Sequence, residues 1–300
     1  MDAVGKDTEK LSNVKQRLKK EQRQLFIKRF LSNRLLVTGV ITLLFLLIVT
    51  IVGPLVVTDD PLEISVQDRL SSPSSEHLLG TDEFGRDLLS RIVHGAKVTM
   101  GVGISVAAIS SFFGMVIGLY ASYYRTLDHI LMRICDGLMA IPSILLAIAL
   151  MAALGPNTRN VIIALSIVFT PHIARVIRSA ALVVREQTYI EAMKAQGASS
   201  TRIIWLHIMP NTISPLVVQA TYIFAEAIIV EAALSFLGAG VPPPDPSWGN
   251  ILYDGKLVIF NAWWMTVFPG IMIVLSVLGL NLLGDGLRDL IDPHTNHGKK

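Results

Sequence analysis

Six long apolar stretches organise this chain, near residues 35–57, 98–123, 134–154, 159–178, 213–238 and 264–284. A helix of about 20 apolar residues, rising about 1.5 Å per residue, matches the hydrocarbon thickness of a bilayer. Lipid offers no water to a bare N–H or C=O, so each stretch must pair its backbone internally, as a helix does. The reading is an all-α integral membrane protein with six transmembrane helices. Composition agrees: 52% of the 300 residues are hydrophobic and only 16% are charged, whereas soluble domains carry about a quarter charged residues. Pro171 and His172 interrupt the fourth stretch; a membrane helix tolerates this where neighbours satisfy the freed carbonyl. His172 reads first as a packed histidine beside that kink.

The basic residues orient the spans. With the N-terminus inside, the inner segments hold 20 of the 26 Lys and Arg residues, and the outer ones hold Arg69, Arg86, Arg91, Lys97, Arg159 and Lys256. Positive charge stays on the cytoplasmic side, so both termini and the 179–212 loop are expected there. The expected layout is a basic cytoplasmic tail over 1–34, an anchor over 35–57 and an extracytoplasmic segment over 58–97. The core follows over 98–285, with a cytoplasmic tail over 286–300. In the first tail Leu11, Val14, Leu18 and Leu25 fall near helical spacing. Two readings stand: an interfacial amphipathic helix, or a basic tail held near anionic lipid. The first span is too long for a signal-peptide core and lacks a small-residue cleavage site, so it reads as an uncleaved anchor. The basic residues lie beside apolar spans and call for no nucleic-acid partner. A single cysteine, Cys135, excludes an intrachain disulfide.

Between the fourth and fifth spans lies a polar, amphipathic island, residues 188–211. Thr188 and Glu191 have capping-box spacing, which predicts a helix start. Gly197 suits a left-handed C-cap, Ser199 or Ser200 can cap a second helix, and Pro210 is expected to close it. The product is a helix, a glycine turn and a helix, with apolar Ile203, Ile204, Leu206 and Ile208 beside the turn. Two outer segments also have character. Thr81–Val93 predicts a short surface helix, capped by Thr81 or Asp82 and braced by Asp82–Arg86 and Asp87–Arg91 at i,i+4. Residues 240–250 form a proline-rich turn that cannot continue a helix.

Four stretches now carry a resemblance: Leu79-Gly-Thr-Asp-Glu-Phe-Gly-Arg-Asp87; the 188–211 island, with Glu191-Ala192, Gly197 and Pro210; Glu231-Ala-Ala-Leu-Ser-Phe-Leu-Gly238 with Pro246-Ser-Trp-Gly249; and Gly284-Asp-Gly-Leu-Arg-Asp-Leu-Ile-Asp-Pro293. Together, over about residues 25–293, they resemble the C-type membrane subunit of dipeptide, oligopeptide and nickel ABC importers. Met193, His207 and Met209 depart from the usual family residues. The resemblance implies a type I ABC-importer, MetI-like permease fold and a bacterial cell membrane. It also implies a second permease subunit, two ATP-binding subunits and an extracytoplasmic solute-binding protein. The chain itself would be no enzyme and hold no cofactor, ATP and Mg²⁺ being used by the partners. By the same resemblance Glu191, Ala192, Gly197, Arg202 and Pro210 belong to the coupling loop that docks into an ATPase groove. The expected cargo is a dipeptide or short oligopeptide, the alternative a nickel or metal–chelator complex.

Some residues carry readings of their own. Glu226 and Glu231 lie within the fifth span, where a carboxylate costs about 2.5–3.5 kcal/mol unless it pairs, faces a cavity or is protonated. Five positions turn a helix by about 140°, so the two cannot share one face. Each is either a pathway residue or an interhelical hydrogen bond; for Glu226 the sharper reading is a contact to a peptide's amino end. Gly114 and Gly118 form a close-packing G-x-x-x-G pair. Asp136 carries no chemistry. Asp292, His294 and His297 read as a solvated tail, so no metal site is assigned. The sequence lacks a G-x-x-x-x-G-K-[ST] loop, H-E-x-x-H and G-x-S-x-G, so nucleotide-binding, metalloprotease and hydrolase readings find no support and no catalytic residue is named. An ion-gradient transporter would call for matched broken helices and a repeat, which the sequence does not display.

Overall fold

The computed structural model describes residues 28–291, together with Leu18, Lys20, Glu21, Gln24 and Leu25. Leu11 and Val14 of the first tail, and Asp292, His294 and His297 of the second, lie outside the described residues. The described part of the first tail is helical from Lys28 to Ser32, and Leu18 and Leu25 are helical and exposed. Asn33 then ends one helix and begins another, its side-chain oxygen accepting from the Leu36 N–H at 3.2 Å.

Among the described residues, five helices are long and apolar enough to cross a membrane. They are α1 (Arg34–Ile51, extended by the short α2, Gly53–Val56), α3 (Leu88–Tyr123), α6 (Thr158–Arg185), α8 (Ser200–Phe236) and α10 (Trp264–Ile291). A sixth candidate is a bent pair, α4 (Arg125–Met139) and α5 (Ser143–Leu154), meeting at 93°, a broken span or a re-entrant loop. This corrects the expected straight helix over 134–154. Pro142 lacks an N–H and pushes Ile141 out of helical geometry, so the helix breaks there. Only the 12 residues of α5 continue, a length of about 18 Å against the roughly 30 Å of a hydrocarbon core.

A second correction concerns 81–93. The surface helix and the second span are one helix of 36 residues, about 54 Å long, so it must extend beyond the hydrocarbon. Asp87 caps it by accepting from the Ser90 N–H at 2.8 Å, while Thr81–Arg86 forms a tight loop closed by a Thr81–Asp87 bridge. In α6 the helix runs through Pro171 without breaking. The preceding turn is tied by the Thr170 and Ser110 hydroxyls, which donate to the Ser166 carbonyl at 2.6 and 3.3 Å.

Helix α3 packs along α6 through Gly114 and Gly118. A Cβ on Gly118 would stand 2.6 Å from the Ala174 carbonyl oxygen and 2.9 Å from the Arg178 nitrogen, so the two backbones touch where any side chain would separate them. Beside this seam Leu119, Leu165, Phe169, Ile173 and Ile177 are fully buried. Helices α1 and α10 meet in the same way at Gly39, whose Cβ would lie 2.6 Å from the Leu283 nitrogen. At the far end of the bundle a smaller core gathers Leu46, Leu88, Ile92, Trp248, Trp264 and Met265.

The seam makes a prediction. Gly118→Val should destabilise the purified subunit by about 1–3 kcal/mol through overpacking, seen as a lower melting temperature in detergent. Gly101→Val, at a glycine with open space around it, should move melting far less; equal shifts would show that the seam is not the constraint.

Candidate functional site: a helical hairpin and a loop cluster at the opposite end

One end of α6 leads into α7 (Thr188–Ala195), a glycine turn, and the start of α8. Gly197 has φ +80°, with the Gly197 N–H donating to the Lys194 carbonyl and the Ala198 N–H to the Met193 carbonyl, both at 3.0 Å. That pair of bonds is the Schellman ending of a helix. Nothing lies within 4 Å of a Cβ built on Gly197, so only the backbone angle demands glycine there.

Two local expectations are corrected. No capping box forms at Thr188 and Glu191: Gln187 occupies the N-cap without a side-chain hydrogen bond, and Thr188 is already helical. Glu191 is exposed in the first turn, where a carboxylate favours the positive helix end. Nor does Pro210 end a helix. Ile203–Ile208 is a π-helical turn in which the Met209 N–H reaches back to the Ile204 carbonyl. The wider turn restarts the α-helix, so Pro210 stands at a first-turn position that needs no N–H donor. The second arm of the hairpin is therefore continuous with the fifth span. Ser199 holds its N-cap position without a side-chain bond.

The hairpin has two faces. Ile190, Ile203, Ile204 and Ile208 are fully buried in the main core, with Met193, Ala198 and Trp205 packed against it. Burying an isoleucine side chain stabilises by about 1.5–3 kcal/mol, so four such anchors fuse the hairpin to the bundle. Arg185 Nη1 donates to the Ser122 carbonyl at 2.6 Å, and the Lys194 ammonium lies 5.8 Å from the Tyr123 ring centre. Glu191, Ala192, Gly197, Arg202 and Pro210 all lie on the exposed face, with Tyr189 and Leu206. Alongside, α4 is pinned to α6 by Arg178–Asp128 (Nη2 to Oδ2, 2.6 Å) and Arg175–Asp136 (2.7 Å). Asp136 thus has a structural partner that sequence spacing could not reveal.

The two intramembrane carboxylates diverge. Glu226 is half-buried on α8. Glu231 is fully buried, and its Oε1 accepts from the Ser235 hydroxyl at 2.8 Å. Ser235 in turn accepts from the Val241 N–H at 3.0 Å. The Thr99 and Ser247 hydroxyls stand by the same carboxyl without meeting Oε2 in hydrogen-bond geometry. Glu231 therefore knots α8 to the proline-rich turn and to α9 (Trp248–Leu257), not to an open passage.

At the opposite end from the hairpin, the loop before α3 is built on Asp82. This buried carboxylate accepts from the Phe84 N–H at 2.8 Å, the Arg86 N–H at 3.0 Å and Arg86 Nε at 2.6 Å. Asp82–Arg86 pairs as its spacing implies, but Asp87–Arg91 does not. Asp87 is spent on the cap and on His77 (3.1 Å), and Arg91 turns to Asp82 (3.5 Å) and Asp254 (3.6 Å). Burial pushes the Asp254 carboxyl above the usual carboxylate range, with Arg91 and Arg86 pulling the other way. Gly80 (φ +79°) and Gly85 (φ +75°) shape this loop, and the Trp264 indole N–H closes it by donating to the Thr81 carbonyl at 3.0 Å. The motif Leu79–Asp87 flagged the loop; the partnership with Asp254, far along the chain, carried no local signal.

Comparison with known proteins gives the family of the chain. Residues 110–297 match the binding-protein-dependent transport system inner membrane component family, and residues 21–73 match the N-terminal TM domain of oligopeptide transport permease C. A putative peptide transport system permease protein of Brucella abortus is 47% identical over 269 residues, 90% of this chain and 91% of the relative. The dipeptide transport system permease protein DppC of Alkalihalophilus pseudofirmus is 45% identical, covering 89% and 88%. A chain of the inward-facing MetNI methionine ABC transporter shares the fold with TM-score 0.53 at 24% identity, covering 67% of this chain and 97% of that one. The chain belongs to the binding-protein-dependent inner membrane component family, and is a multi-pass permease subunit of an ABC importer. Within that family it is a C-type subunit of the peptide-permease branch.

Asp82→Ala removes the acceptor for two backbone N–H groups and a guanidinium. It should destabilise the Asp82 loop by about 3–5 kcal/mol, read as rapid proteolysis between residues 60 and 86 in the assembled protein. Gly197→Ala should cost about 1 kcal/mol through its backbone angle alone, read as faster amide exchange confined to 188–200. An unchanged digest, or unchanged exchange, would contradict each account.

Proposed function

We propose that this subunit forms half of a translocation pathway for dipeptides or short oligopeptides, driven by separate ATPase subunits through the 188–211 hairpin. The observation that carries the reading is the hairpin's two-sidedness. A polar, capped, solvent-facing end stands on four fully buried isoleucines. Such a device transmits force: a push on the exposed face reaches α6 and α8 without being absorbed in a loose loop. The positive-inside distribution supports a cytoplasmic hairpin and cytoplasmic termini, in a bacterial inner membrane. Relatives named as dipeptide and di/tripeptide permeases support the cargo.

In this mechanism a second, similar permease subunit completes the pathway, and an extracytoplasmic binding protein delivers the solute to the end bearing the 58–87 loop and α9. Two ATPase subunits bind ATP and Mg²⁺ and close on each other. Glu191, Ala192, Gly197, Arg202 and Pro210 lie at the docking face, and the seam between α3 and α6 carries the movement inward. Glu226, half-buried and with no hydrogen bond among the described residues, is the carboxylate offered to the pathway. Glu231 holds the outer knot instead.

The test uses the reconstituted complex with its binding protein. Gly197→Asp should abolish peptide-stimulated uptake by either uncoupling ATP hydrolysis or preventing ATPase binding. A photo-crosslinking residue at Ala192 should capture an ATPase subunit, while one at Leu78 should not. Normal coupled uptake by the Gly197 variant, or capture from Leu78 instead of Ala192, would overturn the assignment.

A further inference from the structure

The outer end holds a cavity of about 630 Å³ between the Asp82 loop, the proline-rich turn and α9. Small-ligand sites fall in the range of about 300–1,000 Å³. Arg91 lines this cavity while only 3% exposed, and its Nε and Nη1 have no hydrogen-bond partner. A buried guanidinium left short of acceptors is costly. Its contacts to Asp82 and Asp254, at 3.5 and 3.6 Å, are ion pairs too long for good hydrogen bonds. Arg86 lines the same cavity, 3.7 Å from Asp254 and stacked 4.6 Å from the Phe84 ring centre. Opposite charge is present as well: Glu83, half-buried and with no side-chain hydrogen bond among the described residues, and Asp254 both line the wall. Apart from Ser235 and Asn250 the rest is largely apolar, with Pro242–Pro244 and Tyr253 among the lining.

We infer that this cavity is a receiving site for the free termini of a short peptide, its carboxylate taken by Arg91 and Arg86 and its ammonium by Glu83 and Asp254. The inference rests on the peptide reading above and deepens it. A guanidinium whose Nε and Nη1 lack hydrogen-bond partners favours a carboxylate, since Arg pairs with that group through parallel N–H bonds. An unpaired carboxylate in the same enclosure selects a cation. A volume of this size holds two or three residues, and the proline wall offers apolar contact to side chains without selecting one. A ligand with both charges at its ends and variable side chains between them is a short peptide. The site faces the end where solute arrives, opposite the hairpin, and so acts before translocation.

The experiment uses the full transporter complex in nanodiscs, without binding protein, and measures binding of Ala-Ala by saturation-transfer NMR. Saturable binding is expected, with blocking of either peptide end by N-acetylation or C-amidation weakening it by about tenfold or more. Glu83→Gln, which leaves the buried cluster in place, should weaken Ala-Ala to a similar extent yet leave N-acetyl-Ala-Ala unaffected. Arg91→Lys should selectively weaken the peptide with a free carboxylate. No saturable binding up to about 10 mM, or binding indifferent to both peptide ends or to Glu83→Gln, overturns the site. Uptake assayed in parallel with the binding protein separates the two readings. Peptide uptake without this binding removes the receiving site alone, and no peptide uptake at all removes both.

Discussion

Backbone contact between α3 and α6 is the constraint on which the rest of the molecule depends. At Gly118 the helices stand so close that a methyl group would collide with the Ala174 carbonyl. In lipid there is no hydrophobic gain in bringing two apolar helices together, so packing at close range must do the work. Once the seam is formed, Leu119, Phe169, Ile173 and Ile177 fill the space beside it, and α6 becomes a rigid post. The hairpin at its end inherits that rigidity through Ile190, Ile203, Ile204 and Ile208. Arg178 and Arg175, one turn apart on the same helix, hold α4 against the post. A lever with a soft root would dissipate motion; here the root is four fully buried isoleucines in the main core.

The opposite end is built on different physics. Its core is small, and polar groups fix its shape. Asp82 organises one loop through backbone N–H groups and Arg86, Glu231 organises the other through Ser235, and Trp248 and Trp264 join them to α3 and to the Thr81 carbonyl. Each of these polar atoms sits where water is scarce, so every unmade bond is expensive. The same property makes the under-bonded Arg91 guanidinium, like Glu231 Oε2, chemically conspicuous. One end of the bundle is thus stiff and apolar beneath a polar cap, and the other is polar within and open to a cavity.

Much of this was legible in the chain itself. Five of the six long apolar stretches gave helices where expected, and Gly197 was recognisable because a left-handed helix ending favours glycine. The failures have a common cause. Thr188 and Glu191 have capping-box spacing, but the helix starts one residue earlier in register, so the side chains never meet the N–H groups they suit. Pro210 signals a stop, but a single π-turn shifts the register and lets the helix resume. Asp87 and Arg91 stand four apart, but Asp82 and Asp254 compete for the guanidinium and the N-cap competes for the carboxylate. In each instance local spacing stated a possibility that the observed helix register or a partner elsewhere in the chain took away.

The sequence by itself determined an all-helical membrane protein, the side on which its positive charge accumulates, and a glycine-turned hairpin between two spans. These follow from hydropathy and backbone sterics, which act within a few residues. Tertiary structure alone decided which carboxylate is sealed in a knot and which is left half-exposed. It also decided that Arg91 meets Asp254 across more than 150 positions of chain. Those outcomes depend on which surfaces come together in space and how far each charge is removed from water, and neither is encoded in the spacing of neighbouring residues.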